Sequence, residues 1–152
     1  MIVVGADTVA GESILAGVRQ TEREVRVFVT DESKAQNLRS LGYKVATGDV
    51  SDDSHVEGAA LHCFSAVLVA EAADDDRERS FADTAEQVMR GWARAVTSAG
   101  VQRVIWVTER EPPETPVPEV ATVSPGDPAL PTKVVALDEV SSFPRGEDYS
   151  TS

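Results

Sequence analysis

The sequence is poor in cysteine and in positive charge, and it has no long hydrophobic run. A single cysteine, Cys63, excludes an intramolecular disulfide, which is typical of a reducing compartment. The 26 acidic residues outnumber the 14 basic ones and give a formal net charge of −12, so binding to nucleic acid or to an anionic membrane is not expected. No segment has the pattern of a membrane span or an export signal. We therefore expect a cytoplasmic protein.

Short β-branched runs alternate with helical patterns over the first 108 residues. Strands are predicted at residues 2–4, 25–29, 44–47, 65–70 and 104–107, and helices at 11–20, 33–41, about 53–61 and 76–98. Such alternation favours right-handed crossovers between parallel strands. The predicted fold is α/β, a Rossmann-like three-layer doubly wound parallel sheet of five to six strands in the order 3-2-1-4-5, with any sixth strand beside the fifth.

Proline changes the pattern after Thr108. Seven of the eight prolines lie within residues 109–131, so this segment is predicted to be an irregular connection without a regular helix. Residues 133–137 are apolar and predict the sixth strand. The domain is predicted to extend over residues 1–143, and the polar residues 144–152 are predicted to form a flexible tail.

The turn after the first predicted strand has the composition of a phosphate-binding turn. Gly5 and Gly11 bracket it, and a helix begins within it. Glycine lets the chain reverse and approach a pyrophosphate closely, while the helix N-terminus offers free N–H groups and a positive dipole end. Asp31 follows the second strand, where a carboxylate can accept from ribose hydroxyls. The alternative is that Asp31 only caps the second helix.

With these residues the sequence resembles the short-chain dehydrogenase/reductase superfamily, in particular its atypical NmrA-like branch. Gly5 and Gly11 match the outer glycines of the motif G-x-x-G-x-x-G, with Thr8 in the middle position. The segment 48–50, Gly-Asp-Val, resembles the family segment near the adenine, and 99–107 resembles the stretch leading into the fifth strand. The resemblance covers about residues 1–108 and implies NAD(P) binding. The implied cofactor-binding residues are Gly5, Ala6, Asp7, Thr8, Val9, Gly11, Asp31, Asp49, Val50 and Ala70, and no metal site is predicted.

Three acidic residues depart from what an anionic cofactor requires. Asp7 and Glu12 place negative charge near the pyrophosphate, and Arg19 is the nearest base on the first helix. Alternatively, Glu12 only favours the helix dipole. NADP-binding relatives usually carry arginine just after the second strand, where this chain has Thr30, followed by the acidic Asp31. NAD(H) is therefore favoured over NADP(H) as the cofactor.

The family's catalytic pair, Tyr-x-x-x-Lys, is absent from the sequence. Tyr43 and Tyr149 are the only tyrosines, and neither belongs to such a motif. Thr108 is a candidate for the catalytic serine or threonine position that the resemblance implies. The leading hypothesis is a non-catalytic, cofactor-sensing or regulatory domain. The alternatives are an NAD(P)-dependent oxidoreductase of the atypical short-chain type, and a protein-interaction module on a fold that no longer binds cofactor.

The helix predicted at 76–98 carries an apolar stripe that includes Met89 and Trp92. In relatives, the equivalent helix often packs against its own copy. The stripe therefore predicts a homo-oligomer or a protein partner through this helix. The alternative is that the stripe covers the sheet.

Overall fold

The computed structural model describes residues 1–21, 23–74, 80–142 and 147–149. Within them, seven parallel strands form one sheet in the order β3-β2-β1-β4-β5-β6-β7. The strands are β1 (Ile2–Val4), β2 (Arg26–Val29), β3 (Lys44–Thr47), β4 (Ser65–Val69), β5 (Arg103–Val107), β6 (Glu119–Val123) and β7 (Glu147–Asp148). The helices are α1 (Val9–Val18), α2 (Glu32–Ser40), α3 (Asp53–Ala60), α4 (Ala85–Ser98) and α5 (Leu130–Glu139), and a 3-10 helix (Ala70–Asp74) directly follows β4. The predicted α/β fold and the order 3-2-1-4-5-6 are confirmed.

Two hydrophobic clusters lie on opposite faces of the sheet, because successive strand residues point to opposite sides. One cluster joins α3 and α4 to alternate strand residues such as Leu68 and Trp106. The other joins α1, α2 and α5 to the intervening residues, such as Val67 and Ile105. Both faces of β4 and β5 are therefore buried, and their carboxyl ends lie at the centre of one edge.

Two stacked tryptophans fix α4 against the sheet. The ring centroids of Trp92 and Trp106 are 6.4 Å apart, with an interplanar angle of 21°. Each indole N–H also donates a hydrogen bond, Trp92 to the carbonyl of Val50 and Trp106 to the hydroxyl of Thr115. Trp92 is 0 % exposed and Met89 1 % exposed. The apolar stripe therefore covers the chain's own sheet, which was the alternative for this helix, and an oligomer or protein partner through α4 stays a prediction.

The segment 109–131 contains a strand that the proline pattern did not predict. Its prolines stand on both sides of β6, whereas Glu119–Val123 contains none and can make every ladder hydrogen bond with β5. Residues 133–137 belong to α5, so the strand predicted there was wrong. Pro131 stands in the first turn of that helix, where its missing N–H costs little.

Two other predicted boundaries differ from the structure. Helix α4 begins at Ala85, where Thr84 and Gln87 form a capping box; the predicted start at residue 76 lies outside the described residues. In the predicted tail, residues 147 and 148 pair with β6, while 144–146 and 150–152 also lie outside the described residues. Every helix in the described ranges is too short or too polar to span a membrane.

Candidate functional site

The turn between β1 and α1 is packed so closely that two of its positions require glycine. Gly5 has a φ of +88°, and a Cβ placed on it would lie 2.8 Å from the Cβ of Ala72. A Cβ on Gly11 would lie 2.8 Å from the Cα of Ala6 and still closer to the carbonyl oxygen of Gly5. The close packing brings the N-terminus of α1 directly beside the turn at the carboxyl edge of the sheet, which is where ligands bind in open α/β sheets.

Thr8 is the N-cap of α1, and its hydroxyl is fully used within the turn. The Oγ1 atom accepts from the N–H of Gly11 at 3.0 Å and donates to the carbonyl of Gly5 at 2.6 Å. Val9 follows as the first helical residue and is 77 % exposed, so an apolar side chain stands at the opening of the site. Thr8 therefore stabilises the turn, and its hydroxyl must give up one contact before it can donate to a phosphate.

Glu71, in the 3-10 helix after β4, lies against the N-terminus of α1. The N–H of Ala10 donates to Oε2 of Glu71 at 3.4 Å. Ala70, a predicted cofactor residue, is 5 % exposed at the start of the same 3-10 helix. The sequence did not predict this contact. The available signal was the position of Glu71 just beyond the carboxyl end of a buried strand, where α/β folds bind ligands.

Two carboxylates meet at the end of β2. Oδ2 of Asp7 accepts from the N–H groups of Thr30 and Asp31, at 3.2 Å each. Asp31 caps α2 by accepting from the N–H groups of Ser33 at 2.9 Å and Lys34 at 3.3 Å. The hydroxyl of Ser33 and the N–H of Lys34 lower the pKa of Asp31. Asp31 thus has the capping role that was the alternative at this position, while its carboxylate remains at the end of β2.

Lys34 supplies a positive charge that spacing along the sequence could not place. Its ammonium group donates to the carbonyl of Asp7 at 2.8 Å and lies 3.6 Å from the carboxylate of Glu12. Both charged side chains are about half exposed, so solvent screens the pair. The base nearest to the glycine turn is therefore on α2 and not on α1, and it offsets part of the negative charge there.

Asp49 lies beyond the end of β3, where its carboxylate is held by three hydrogen bonds. It accepts from the N–H and the hydroxyl of Ser51, at 2.8 and 2.6 Å, and from the N–H of Ser80 at 2.8 Å. Burial opposes ionisation of Asp49, but the hydrogen bonds from Ser51 and Ser80 outweigh it and lower the pKa of the carboxyl. An open cleft of about 520 Å³, lined in part by Ser51, Phe81 and Arg90, lies beside it.

The candidate catalytic hydroxyl at the end of β5 is engaged with the backbone. Thr108 is 4 % exposed, and its Oγ1 donates to the carbonyl of Arg110 and accepts from the N–H of Arg110, at 3.1 Å each. The guanidinium of Arg110 forms ion pairs with Asp74 at 2.8 Å and with Glu86 at 3.2 Å. Arg110 thereby joins the segment after β5 to the end of the 3-10 helix and to the first turn of α4.

The two tyrosines lie away from Thr108. Tyr43 precedes β3 at the amino edge of the sheet, and its hydroxyl donates to the carbonyl of Leu15 at 3.4 Å. Tyr149 follows β7, two strands from β5, and its carbonyl accepts from Lys133. The predicted cofactor residues, in contrast, all lie in the turns at the carboxyl edge or at the start of the helices that follow them.

Comparison with known proteins identifies the family and the fold. Residues 5–122 match the NAD(P)H-binding family. No curated protein matches the sequence. The structure is similar to ChuY, an anaerobillin reductase from Escherichia coli O157:H7, with 16 % identity, a TM-score of 0.73 and coverage of 98 % of this chain and 94 % of ChuY.

Two further reductases share the fold. Citrobacter sp. triphenylmethane reductase is 12 % identical, with a TM-score of 0.73 and coverage of 97 % of this chain and 67 % of that one. The NADPH complex of an Escherichia coli quinone oxidoreductase is 21 % identical, with a TM-score of 0.58 and coverage of 71 % and 36 %. The match to that oxidoreductase covers only 36 % of its length, and the match to a second structure of triphenylmethane reductase, its NADP(H) complex, likewise covers 36 %, so their activities do not transfer with the fold.

Proposed function

We propose that this chain, which belongs to the NAD(P)H-binding family, binds a nicotinamide dinucleotide across the carboxyl edge of its sheet. The observation that carries the proposal is the close packing of Gly5 and Gly11, which presents the N-terminus of α1 to a pyrophosphate. Asp49 then faces the adenine end of the ligand, and Asp31 the adenosine ribose, whereas the side chain of Val50 is 3 % exposed and packs in the core. Lys34 provides the nearby positive charge that an anionic ligand needs.

We further propose that NAD(H) is preferred to NADP(H). The carboxylates of Asp7 and Asp31 both lie at the end of β2, where a 2′-phosphate would approach them. Two negative groups repel the phosphate, whereas each can accept a hydrogen bond from a ribose hydroxyl. Lys34 acts in the opposite direction, but its ammonium group is already directed to the carbonyl of Asp7 and to Glu12.

Thermal unfolding with NAD⁺, NADH, NADP⁺ and NADPH tests both proposals. A ligand at about 100 times its dissociation constant adds about 2.7 kcal/mol to the free energy of unfolding, which for a domain of this size raises Tm by roughly 5–10 °C. We expect a shift with NAD(H) and a smaller one with NADP(H). In Asp31→Asn, the amide still caps α2 while the negative charge is lost, so the difference between the two cofactors should narrow. Equal shifts in the wild type contradict the preference, and no shift with any cofactor contradicts binding.

For the bound state, we propose a cofactor-sensing or regulatory role without turnover. The sequence has no Tyr-x-x-x-Lys pair, and the hydroxyl of Thr108 is engaged with the backbone of Arg110. A proton donor within reach of the reacting group is what general acid catalysis needs. We therefore expect that NADH absorbance at 340 nm does not fall faster with the protein than without it when a quinone or a triphenylmethane dye is present.

A second candidate function is that of a small NAD(P)H-dependent reductase. It is favoured by the match to ChuY, which covers nearly the whole of both chains. A bound cofactor supplies the hydride, and a protein can act by orienting the substrate while solvent supplies the proton. Sustained NADH oxidation that requires both protein and acceptor would establish this function and contradict the regulatory one.

A role as a protein-interaction module predicts a stable oligomer whose Tm does not change when any of the four cofactors is added. A homo-oligomer remains a prediction, but its interface must use surfaces other than Met89 and Trp92, which are buried within the chain. Sizing by light scattering, with and without NADH, separates this possibility from cofactor binding.

A further inference from the structure

The anion position at the N-terminus of α1 is already in contact with a carboxylate of the chain itself. Oε2 of Glu71 accepts from the N–H of Ala10, the second residue of the helix. This N–H is one of the free donors that a helix N-terminus offers to a phosphate. Glu71 therefore competes for the donors that the proposed function assigns to the cofactor's pyrophosphate.

The 3-10 helix that carries Glu71 is fixed at its middle and at its end. At its middle, Ala72 packs so closely against Gly5 that there is no space for a Cβ on the glycine. At its end, Asp74 pairs with Arg110, which also pairs with Glu86 on α4. The two contacts, made by residues that follow Glu71 in the same 3-10 helix, hold it beside the N-terminus of α1.

The contact of Glu71 itself is weak enough to be displaced. Its length of 3.4 Å exceeds the usual range for N–H···O hydrogen bonds, and Glu71 is an exposed residue. A pyrophosphate carries more charge than a carboxylate and interacts more strongly with the same helix end. Glu71 adds repulsion as long as it stays in place, so the ligand and this side chain exclude one another.

We propose that Glu71 is an internal competitor of the cofactor, closing the pyrophosphate position in the empty protein and leaving it when a dinucleotide binds. The inference rests on the proposed function and adds to it a residue that sets the affinity of the site. The affinity for a dinucleotide is then lower than it would be if the same glycine turn lacked the carboxylate of Glu71. Whatever moves the 3-10 helix, such as a change at the Asp74–Arg110 ion pair, changes the affinity for the cofactor.

Isothermal titration with NADH, of the wild type and of Glu71→Gln, tests the proposal. Glutamine keeps the size of the side chain and can still accept from Ala10, but it removes the negative charge. Since the repulsion between one exposed negative charge and a nearby pyrophosphate is equivalent to roughly a fivefold change in an equilibrium constant, we expect Glu71→Gln to bind NADH about fivefold more tightly. Glu57→Gln is the matched control, because it makes the same change of net charge on α3, and its Kd should equal that of the wild type. A melt of each variant without ligand checks that both are folded.

The possible outcomes separate this inference from the proposed function. Tighter binding by Glu71→Gln alone supports the proposal that Glu71 competes with the cofactor. If Glu71→Gln binds NADH and the wild type does not, Glu71 never leaves the pyrophosphate position, which overturns both the proposed displacement and cofactor binding by the natural chain. Equal Kd values for wild type and Glu71→Gln overturn the competitor and leave the proposed function intact. If Glu57→Gln gains as much affinity for NADH as Glu71→Gln does, the effect comes from the net charge of the protein, and the proposal that Glu71 competes with the cofactor is overturned. If no variant binds any dinucleotide, both proposals are wrong.

Discussion

Replacing Gly11 with alanine is expected to lower the free energy of unfolding by about 3 kcal/mol and to abolish measurable dinucleotide binding. The added Cβ would lie 2.8 Å from the Cα of Ala6 and nearer still to the carbonyl of Gly5. These are backbone atoms, so no side-chain rotation relieves the overlap. Helix α1 must move away from the turn, which weakens the cap at Thr8 and displaces the donors at the helix end.

The matched control for this variant is Gly58→Ala. Gly58 lies within α3, and a Cβ there meets no atom within 4 Å. Alanine has the higher helix propensity, so the control should gain roughly 0.5 kcal/mol. Urea denaturation and NADH titration of both variants give the comparison. If Gly11→Ala is as stable as the control and still binds NADH, the backbone of Gly5 and Ala6 does not exclude a Cβ at position 11.

Replacing Arg103 with methionine is expected to cost about 3 kcal/mol of unfolding free energy without changing the Kd for NADH. The Arg103 side chain is 1 % exposed at the amino end of β5. Its guanidinium donates to the carbonyls of Leu137 and Asp138 at 2.9 Å each, pairs with Glu119 at 3.1 Å, and lies 5.1 Å from the ring centroid of Phe64. Methionine cannot donate to these buried acceptors. Removing one partner of a buried ion pair is costly because the remaining polar groups stay buried without a hydrogen bond.

The side chain of Asp138 extends the same network across the amino edge of the sheet. Its carboxylate accepts from the hydroxyl of Ser65 at 2.5 Å and pairs with Arg23. The network therefore ties the C-terminal end of α5 to the starts of β4 and β5, on the edge opposite the proposed cofactor site.

Lys44→Met is the control for a solvent-exposed ion pair. Lys44 pairs with Glu24, and both side chains are mostly exposed, so its urea midpoint should not differ measurably from that of the wild type. An equal loss of stability in Lys44→Met and Arg103→Met would show that burial does not determine the cost. A loss of NADH affinity in Arg103→Met would show that the two edges of the sheet are coupled.

The strands up to β5 could be predicted because their residues have few alternatives. Residues 66–69 are apolar at every position, which suits a strand buried on both faces, and β3 has the predicted bounds of 44–47. The doubly wound arrangement, which is typical of alternating strands and helices, then gives the predicted strand order. Local composition and global topology agree over this part of the chain.

The elements after Thr108 depend on tertiary contacts that composition does not reveal. Residues 133–137 have a β-branched pair, Val134 and Val135, yet they form a helix because α5 packs along α1, with Pro131 directly against Gly17. Strand β6 has only five residues, and the prolines on both sides of it indicated an irregular segment, so the strand was not predicted. Pairing with β5 decided its conformation.

The candidate site was predictable where it lies within one turn and not where it is assembled from distant segments. Gly5, Thr8 and Gly11 are close in sequence, and their spacing carried the signal. The contact between Glu71 and Ala10 joins residues 61 positions apart, and that between Lys34 and Asp7 joins residues 27 positions apart. No periodicity links such pairs, so only the folded chain brings them together.

The central claim is that a nicotinamide dinucleotide binds at the β1–α1 turn, and a titration of the ¹⁵N-labelled protein with NADH, followed by amide chemical shifts, tests it most directly. The account predicts that the largest shifts occur at Gly5–Gly11, at Thr30 and Asp31, and near Asp49, with Ala10 changing as Glu71 leaves its N–H. Amides at the amino edge, such as that of Arg103, should stay unchanged. Shifts confined to residues away from the turn, or no shifts at millimolar NADH, would contradict the account.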